Sequence, residues 1–348
     1  MNKWKTCCVS ADVTIQEAIR TIDDSTLQIA LVVDGNRLKG TLTDGDVRRA
    51  LLAGVTLQEP VARAMNPKPT VASLSDDHDS LVSRMRRLLI RHIPILDDAG
   101  FLVGMQSLDD LMAPEARENI VVLMAGGLGK RLTPLTEQCP KPMLLVGSRP
   151  ILETILLNFI DQGFRHFRIS VNHQADVITQ HFGDGSRWGV QIEYIHENRR
   201  LGTAGALSRL PEKPNLPLLV MNGDILTKVN FIHLLEFHDA QKAKATMCAR
   251  EYEFQVPYGV IRLNGHQILE IQEKPMQRFL VNAGIYVLDP GVLDLLPQNE
   301  YVDMTSLFEK VVREQLPTAV FPLREYWLDI GRHADLDKAN GDFELRFK

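Results

Sequence analysis

The feature that most constrains this chain is the stretch from Val121 to Met143, VVLMAGGLGKRLTPLTEQCPKPM. Its apolar start predicts a buried strand, and that strand runs directly into a glycine-rich turn. A turn without β-carbons exposes backbone N–H groups at the edge of a sheet, where they can hold phosphate oxygens closely. Basic residues at Lys130, Arg131 and Lys141 can neutralise the phosphate charge. The stretch therefore predicts a nucleotide-binding protein.

Two common phosphate-binding motifs do not fit this turn. A P-loop requires G-x-x-x-x-G-K-[ST], but Met124 occupies its first glycine position and Arg131 its Ser/Thr position. The dinucleotide fingerprint G-x-G-x-x-G begins at Gly127 and Gly129 but has Leu132 in place of the third glycine. Neither motif therefore explains the loop.

The motif that does fit is G-G-x-G-x-R-L-x-P-x-T from Gly126 to Thr136, followed by P-K-P at 140–142. It resembles the signature of the sugar-phosphate nucleotidylyltransferases. The resemblance covers nearly all of 120–348 and implies a Rossmann-like nucleotidyltransferase fold. It also implies an enzyme that transfers a nucleoside monophosphate from a nucleoside triphosphate to a sugar-1-phosphate and releases pyrophosphate.

The pattern after Ile120 favours the same fold class, because apolar runs alternate with helical segments. Such alternation predicts an α/β domain whose mixed sheet is mostly parallel, with helices on both faces. The predicted strands are Ile120–Met124, Phe167–Val171, Val190–Ile195, Leu218–Met221 and Ala245–Ala249. The helices between them are predicted at Ile151–Gln162, Ala175–Phe182, Gly205–Leu210 and Phe231–Ala240. Later strands at Gly259–Leu263, Ile268–Gln272 and Phe279–Leu288 are expected to be insertions around a substrate pocket.

An internal repeat precedes this domain. Leu31–Leu51 and Ile93–Met112 each read as strand, turn, short strand and helix, and each carries a G-x-x-T/S-x-x-D element. The repeat resembles a tandem pair of CBS domains, an α+β module. We expect the pair to occupy 1–115, in halves of about 1–60 and 61–115, and the catalytic domain to occupy 119–348. The polar stretch Ala113–Asn119 is the predicted linker.

The CBS resemblance implies a site for AMP, ADP or ATP built from Thr43, Asp46, Ser107 and Asp110. In that family the aspartate binds ribose hydroxyls, and the hydroxyl residue faces phosphate at a helix N-terminus. The alternative is structural, since Thr and Ser are common N-caps and aspartate favours the first helical turn.

The resemblance also assigns catalytic and metal-binding roles. Arg131, Lys141 and Asp224 are the candidate catalytic residues, and Asp224 with Asp329 would bind Mg²⁺ (or Mn²⁺). Magnesium prefers one or two carboxylates together with phosphate oxygens and water. The alternative for each aspartate is that it only caps a turn.

Further residues match the family's binding segments. The candidate nucleotide-binding residues are Ala125, Gly126, Gly127, Gly129, Lys130, Glu197, Gly202 and Thr203. The candidate sugar-phosphate-binding residues are Tyr258, Gly259, Glu273, Lys274, Asn282 and Gly284. The segments around Gly259 and Gly284 could instead be core strands in which glycine relieves packing.

The base and the sugar are less constrained. The run from Leu201 to Gly205, LGTAG, looks most like guanylyl- and mannose-type members. A CBS pair before such a domain is similar to glucosamine-1-phosphate guanylyltransferases of legionaminic-type pathways, so GTP and glucosamine-1-phosphate are favoured. Mannose-1-phosphate with GTP, and glucose-1-phosphate with UTP or dTTP, are the alternatives. The alternative from a different functional class is a sensor, which would bind sugar nucleotides without catalysing a reaction.

Bulk properties limit the other partners. The formal net charge of −5 argues against nucleic-acid binding, and the four cysteines show no zinc spacing. No run approaches the ~18 apolar residues of a membrane span. The first ten residues lack the apolar core of a secretory signal, so we expect a cytoplasmic protein. CBS pairs commonly associate face to face, so we also expect a homo-oligomer.

Overall fold

The structure is a computed structural model, and it describes residues 3–127 and 129–347. Leu128, inside the glycine motif, lies outside the described residues. The chain divides into two compact units, 1–113 and 114–348. The predicted linker is partly wrong, because the first strand of the second unit already begins at Arg117, where its backbone N–H donates to Gly163 O at 2.8 Å. Among the described residues, no helix combines the length and the hydropathy that a membrane crossing requires.

The N-terminal unit repeats one arrangement twice. In each half a short first strand pairs in parallel with the middle strand, and the middle strand pairs antiparallel with the third. The first half contains β1 Cys8–Ser10, α1 Ile15–Ser25, β2 Ile29–Asp34, β3 Arg37–Thr43 and α2 Asp44–Leu52. The second half contains β4 Ala72–Ser73, α3 His78–Leu88, β5 His92–Leu96, β6 Leu102–Ser107 and α4 Leu108–Met112.

Helix starts in this unit follow from their capping residues. At the start of α1, the Thr14 hydroxyl accepts from the Glu17 N–H and the Glu17 carboxylate accepts from the Thr14 N–H, which together form a capping box. Thr43 and Asp46 form the same device at α2, and the Ser107 hydroxyl accepts from the Asp110 N–H at α4. The repeated hydroxyl residues therefore do act as N-caps, whatever else they bind.

The C-terminal unit is a mixed α/β domain. Its strands are β7 Arg117–Met124, β8 Leu145–Val146, β9 Arg149–Pro150, β10 Phe164–Val171, β11 Gln191–His196, β12 Leu218–Asn222, β13 Ile225–Thr227, β14 Ala245–Gln255, β15 Val260–Asn264, β16 Gln267–Gln272, β17 Met276–Leu288, β18 Thr318–Pro322 and β19 Trp327–Asp329. Its helices are α5 Ile151–Ile160, α6 Ala175–Phe182, α7 Gly202–Gly205, α8 Phe231–Ala240, α9 Met304–Arg313 and α10 His333–Arg346.

The central sheet confirms the predicted fold class. Its seven strands run in the order β11-β10-β7-β12-β17-β14-β18, and β17 alone pairs antiparallel with its neighbours. Strand β7 is buried on both faces: Val121 and Leu123 pack into one apolar core and Val122 into the other. Helices cover both faces, which explains the continuous apolar run in this strand.

One part of the sheet departs from the expected arrangement. Beyond Ala249 and Asn282, strands β14 and β17 continue as a two-stranded ribbon, which ends in the β15–β16 hairpin. We call Glu251–Leu280 the arm, and no residue of it is buried. The predicted strands Gly259–Leu263 and Ile268–Gln272 form this hairpin, which is a projection rather than the wall of a pocket. The third predicted strand, Phe279–Leu288, lies mostly in the central sheet as part of β17, so it is not an insertion.

The aromatic cluster behind the sheet makes a stability test. Phe159 on α5 is fully buried, stacks on Phe231 with ring centroids 3.7 Å apart, and meets Phe164 edge-on. We expect Phe159→Ala to lower the free energy of unfolding by about 3–5 kcal/mol, because it leaves a cavity. Chemical denaturation measures this. The control Leu345→Ala removes a side chain that is 86% exposed and should change stability by less than about 0.5 kcal/mol.

Candidate active site

The glycine loop begins where β7 ends, at the carboxyl edge of the sheet. The Ala125 N–H donates to Ser170 O at 2.9 Å, which ties the start of the loop to β10. Gly129 has φ +61°, and a Cβ there would lie 2.9 Å from Thr136 Cγ2. A side chain is therefore disfavoured at Gly129 by both conformation and space. Lys130 and Arg131 follow in a short 3₁₀ turn, Lys130–Leu132, and both are exposed.

A buried lysine lies next to this loop. Lys141 is only 9% exposed; its Nζ forms an ion pair with Asp224 and lies 3.9 Å from Asp329 Oδ1. A buried ammonium is costly unless opposite charges face it. The three side chains predicted to act on the phosphates and the metal are thus one electrostatic unit, although they come from three distant segments.

Sheet geometry brings the two carboxylates together. Asp224 follows β12, and the preceding Gly223 N–H donates to Met124 O at 2.9 Å, so it starts beside the glycine loop. Strand β13 then pairs antiparallel with β19, which places Ile225 opposite Asp329. The Ile330 N–H donates to Asp224 O at 3.1 Å and closes the connection.

Asp329 has the electrostatics of a ligand without its cation. Burial, and then the neighbouring Asp224 charge, raise the pKa of its carboxyl, which Lys141 and Arg131 only partly offset. Its Oδ1 is shielded from solvent and accepts no hydrogen bond from the residues that the structure describes. Within residues 3–127 and 129–347, no group of three His, Cys, Asp or Glu side chains forms a metal cage. Two carboxylates that leave other positions to phosphate and water suit Mg²⁺, so the residues present fit the implied metal.

The segment Glu197–Thr203 forms the opposite wall of a cleft that also contains Gly126, Gly127 and Asp224. Glu197 is already engaged: one carboxylate oxygen accepts from the Ser170 hydroxyl and the other from the Leu201 N–H at 3.0 Å. Gly202 has φ +77°, and a Cβ there would lie 2.5 Å from Val302 O. Both residues therefore shape the wall.

Five residues that line this cleft were missed by sequence reasoning: Met124, Arg200, Asn222, Tyr301 and Asp303. Asp303 accepts from the Thr203 N–H at 3.2 Å and from the Tyr301 hydroxyl at 2.8 Å, and this hydrogen bond raises the pKa of Tyr301. Asn222 Oδ1 is buried, and within the described part of the chain it accepts no hydrogen bond. The N-G-D run could have indicated Asn222, but nothing in the sequence links Asp303 to Thr203.

The sugar-phosphate candidates fall into two groups. Asn282 and Gly284 lie in the sheet, where a Cβ at Gly284 would be 2.7 Å from Asn222 Nδ2. Tyr258, Gly259, Glu273 and Lys274 lie on the arm instead, and they do not line the cleft around Asp224. Across the described residues, neither Glu273 nor Lys274 forms an ion pair, and Tyr258 is 75% exposed.

The N-terminal unit has a separate cavity of about 590 Å³. Thr43, Asp46 and Arg49 line one side, and Arg91 and His92 of the second half line the other. Asp46 accepts from the Thr43 N–H at 2.8 Å and pairs with Arg49. Ser107 and Asp110 do not line this cavity, so the two copies of the repeat differ in their surroundings.

Comparison with known proteins agrees with these observations. The family model described as "Nucleotidyl transferase" matches residues 120–345, and the model described as "CBS domain" matches residues 5–53. A UTP–glucose-1-phosphate uridylyltransferase of Synechocystis is 32% identical over 62% of this chain and 60% of its own length. A mannose-1-phosphate guanyltransferase of Yarrowia lipolytica is 32% identical over 62% of this chain and 61% of its own. The chain thus spans about 60% of the length of these relatives.

Among solved structures, HddC from Yersinia pseudotuberculosis complexed with GMP-PN superposes with a TM-score of 0.50. It is 24% identical and covers 65% of this chain and 99% of its own length, so it supports the fold. The resemblances read from the glycine motif and the N-terminal repeat are confirmed. The chain belongs to the nucleotidyl transferase family and carries a CBS domain in its N-terminal unit.

Proposed function

We propose that the protein transfers a nucleoside monophosphate from a nucleoside triphosphate to a sugar-1-phosphate. The observation that carries the proposal is the buried Lys141 between Asp224 and Asp329, beside the glycine loop. In the reaction, a sugar phosphate oxygen attacks the α-phosphorus, the bond from that phosphorus to the oxygen bridging to the β-phosphate breaks, and pyrophosphate leaves. The names of the relatives, a uridylyltransferase and a guanyltransferase of sugar-1-phosphates, support this class.

The chemistry requires positioning rather than a strong base. The attacking phosphate oxygen is already an anion at neutral pH, so the protein must hold two polyanions in line and offset their charge. Backbone N–H groups of Gly126, Gly127 and Gly129 would hold phosphate oxygens at the end of β7, and Ala125 would anchor the loop through its hydrogen bond to Ser170. Arg131, helped by Lys130, would bind the β- and γ-phosphates, and Lys141 would bind the α-phosphate. Lys141 can turn to a phosphate without being exposed as an unpaired charge, because Asp224 remains beside it.

Asp224 and Asp329 are the residues that would hold a divalent cation, Mg²⁺ or Mn²⁺. Such an ion, when bound, supplies charge neutralisation and orientation for phosphate oxygens. The carboxylates of the two aspartates repel each other, and Lys141 offsets part of this repulsion. A bound divalent cation would offset the rest.

The nucleoside part would lie in the cleft between the glycine loop and Glu197–Thr203. Gly126 and Gly127 border the cleft on one side, and Gly202 and Thr203 border it on the other. Glu197 acts there as a positioning residue, since its carboxylate connects Ser170 with Leu201. We favour GTP because LGTAG at Leu201–Gly205 looks guanylyl-type, and because the HddC structure contains a guanine nucleotide analogue.

We propose glucosamine-1-phosphate as the sugar, with mannose-1-phosphate and GTP, or glucose-1-phosphate and UTP or dTTP, as alternatives. Asn282 and Gly284 would border the sugar, because they lie in β17 beside Asn222. Tyr258, Gly259, Glu273 and Lys274 would complete the sugar-phosphate site if the arm is brought to it.

The proposed reaction is tested by measuring pyrophosphate release from GTP, UTP and dTTP with a panel of sugar-1-phosphates. We expect activity with at least one pair, and Asp224→Asn should lower kcat/KM by at least about 100-fold, because charge stabilisation is lost. The control Asp294→Asn, an exposed aspartate paired with Lys213, should retain activity. Full activity of Asp224→Asn would refute the assignment. Binding of a sugar nucleotide without turnover of any pair would favour the sensor.

The metal proposal has a readout that does not require turnover. Mg²⁺ binding should raise the thermal midpoint of the C-terminal unit, because ligand binding to the folded state stabilises it. The shift should disappear in Asp329→Asn and persist in the control Asp335→Asn, which alters a residue that accepts from the Gly331 N–H instead. Calorimetric scans with 0–10 mM Mg²⁺, on the order of weak-site affinities, make the measurement. Equal shifts in wild type and Asp329→Asn would contradict the site.

We further propose that an adenine nucleotide binds in the N-terminal cavity. Thr43 and Asp46 lie there at the start of α2, and Arg49 and Arg91 supply positive charge opposite phosphate. The site is asymmetric, since Asp110 does not line the cavity. Binding would regulate the catalytic unit, in a direction that activity assays with and without nucleotide would establish.

Calorimetry of the full chain with AMP, ADP and ATP tests this proposal. We expect one of them to bind, and Arg49→Ala to weaken binding by about tenfold or more, since a charge-assisted contact of about 1.5–3 kcal/mol is lost. The matched variant Arg63→Ala, whose side chain pairs with Glu59 and does not line the cavity, should bind like wild type. Absence of binding by all three nucleotides would leave the CBS pair as an association module.

A further inference from the structure

Arg131 is proposed to bind the β- and γ-phosphates, yet no partner of opposite charge fixes the direction of its side chain. Across residues 3–127 and 129–347, its guanidinium forms no ion pair and donates no hydrogen bond. An exposed arginine has many rotamers, and ordering it on a ligand costs conformational entropy. A surface that orients Arg131 before the ligand binds would therefore favour phosphate binding.

The guanidinium of Arg131 lies against Gly331, in the turn between β19 and α10. A Cβ on Gly331 would be 3.3 Å from Arg131 Nη1 and 3.6 Å from Arg131 Cζ. The guanidinium thus occupies the space that a side chain at position 331 would take. Arginine suits such a place because its guanidinium is planar and rigid.

The backbone does not explain why position 331 is a glycine. Gly331 is not among the glycines with positive φ, whereas Gly129 has φ +61°. The atoms nearest to its Cβ position belong to the flexible side chains of Arg131 and Asp335. The fold can therefore accept a small side chain at position 331, but Arg131 would have to move away.

The turn that carries Gly331 is itself held in place. The Gly331 N–H donates to Asp329 O at 3.0 Å and to Asp335 Oδ2 at 3.1 Å. The Arg332 N–H donates to the same Asp335 oxygen at 2.8 Å. Asp335 lies in the first turn of α10, so the start of this helix fixes the surface on which Arg131 lies.

Helix α10 also contacts the segment that carries Arg131. His333 Nε2 lies 3.3 Å from Thr133 O, two residues after Arg131. Leu336 is buried in the same apolar core as Leu132, which directly follows Arg131. The helix therefore holds both the turn and the glycine motif, which fixes one relative to the other.

The same turn connects Arg131 with the proposed metal ligand. Asp329 lies two residues before Gly331, at the end of β19. Burial and the Asp224 charge raise the pKa of the Asp329 carboxyl, and Arg131 is close enough to oppose them. The contact with Gly331 thus keeps the cation proposed for the phosphates near the carboxylate proposed for the metal.

We propose that Gly331 is a positioning residue: because it has no side chain, the Arg131 guanidinium is held beside Asp329 in the direction that the β- and γ-phosphates require. The ligand in this inference rests on the proposed function, whereas the contact between Gly331 and Arg131 does not. Helix α10 then serves the phosphate site through the turn at its start.

The proposal is tested by a double-mutant cycle in pyrophosphate binding, measured by calorimetry of the full chain with Mg²⁺. We expect Gly331→Val to weaken binding by about tenfold or more, since a charge-assisted contact of Arg131 is lost. In an Arg131→Ala background, the same substitution should change the affinity by less than about twofold, because it acts through Arg131. The control Gly341→Val lies in α10 with no atom within 4 Å of its Cβ position, and it should bind like wild type.

The cycle distinguishes two failures. Equal weakening by Gly331→Val in both backgrounds, or no weakening in either, would overturn the positioning role of Gly331 and leave the proposed function intact. Wild-type affinity in Arg131→Ala itself would contradict the phosphate role of Arg131 in the proposed function, and the positioning role would fail with it.

Kinetics separate positioning from general damage to the site. With the substrate pair that is turned over, Gly331→Val should raise the KM of the nucleoside triphosphate by about tenfold and leave the KM of the sugar-1-phosphate within about twofold of wild type. A parallel rise of both values would indicate a structural defect and contradict the proposal.

A smaller substitution replaces the valine variant if that protein does not fold. In Gly331→Ala, a Cβ at 3.3 Å requires only a small displacement of Arg131. We expect a loss of about threefold in pyrophosphate affinity, because misplacement by about 1 Å can cost on the order of 100-fold. The loss should again disappear in the Arg131→Ala background, and its persistence there would refute the proposal.

Discussion

The site depends on one constraint, the charge of a nearly buried lysine. The Lys141 side chain is only 9% exposed, and the carboxylates of Asp224 and Asp329 face it and offset the cost of its burial. Those carboxylates arrive from the end of β12 and from β19, and the β13–β19 pairing is what brings the second to the first. The sheet edge therefore brings the Lys141 ammonium and the two carboxylates together, and the glycine loop lies beside them.

The Asp329 carboxylate indicates which kind of ligand this arrangement favours. Burial, and then the neighbouring Asp224 carboxylate, raise the pKa of Asp329, and among the described residues no group donates to its Oδ1. A divalent cation with phosphate oxygens would satisfy the negative charge of the two carboxylates, whereas a second lysine would only neutralise it. The cleft around Asp224 and the cavity around Asp46 belong to different units and are lined by different charged residues.

Much of the fold could be predicted because its signals are local. The apolar run of β7 and the alternation after it predicted the parallel sheet, and the G-x-x-T/S-x-x-D repeat predicted two similar halves. Two candidate site residues, Asp224 just after β12 and Asn282 within β17, lie at the same sheet edge. Asp303 and Tyr301 could not be found, because their role depends on contact with Thr203 about a hundred residues away. The arm was taken for a pocket wall, since alternation shows that one face is buried but not against what.

The family, the order of the elements and the residue types proposed to bind phosphate could all be predicted from the amino-acid sequence. Short-range patterns encode these, because strand burial, helix caps and glycine turns depend on neighbouring residues. Which charges share one environment, and which surfaces stay uncovered, depends on contacts between segments that are distant in the chain. Lys141 acquires its charge partners from segments distant in the chain, and the arm stays exposed because the β14–β17 pairing continues past the sheet edge. The register between strands that are distant in the chain determines both features, and no short-range sequence pattern predicts that register.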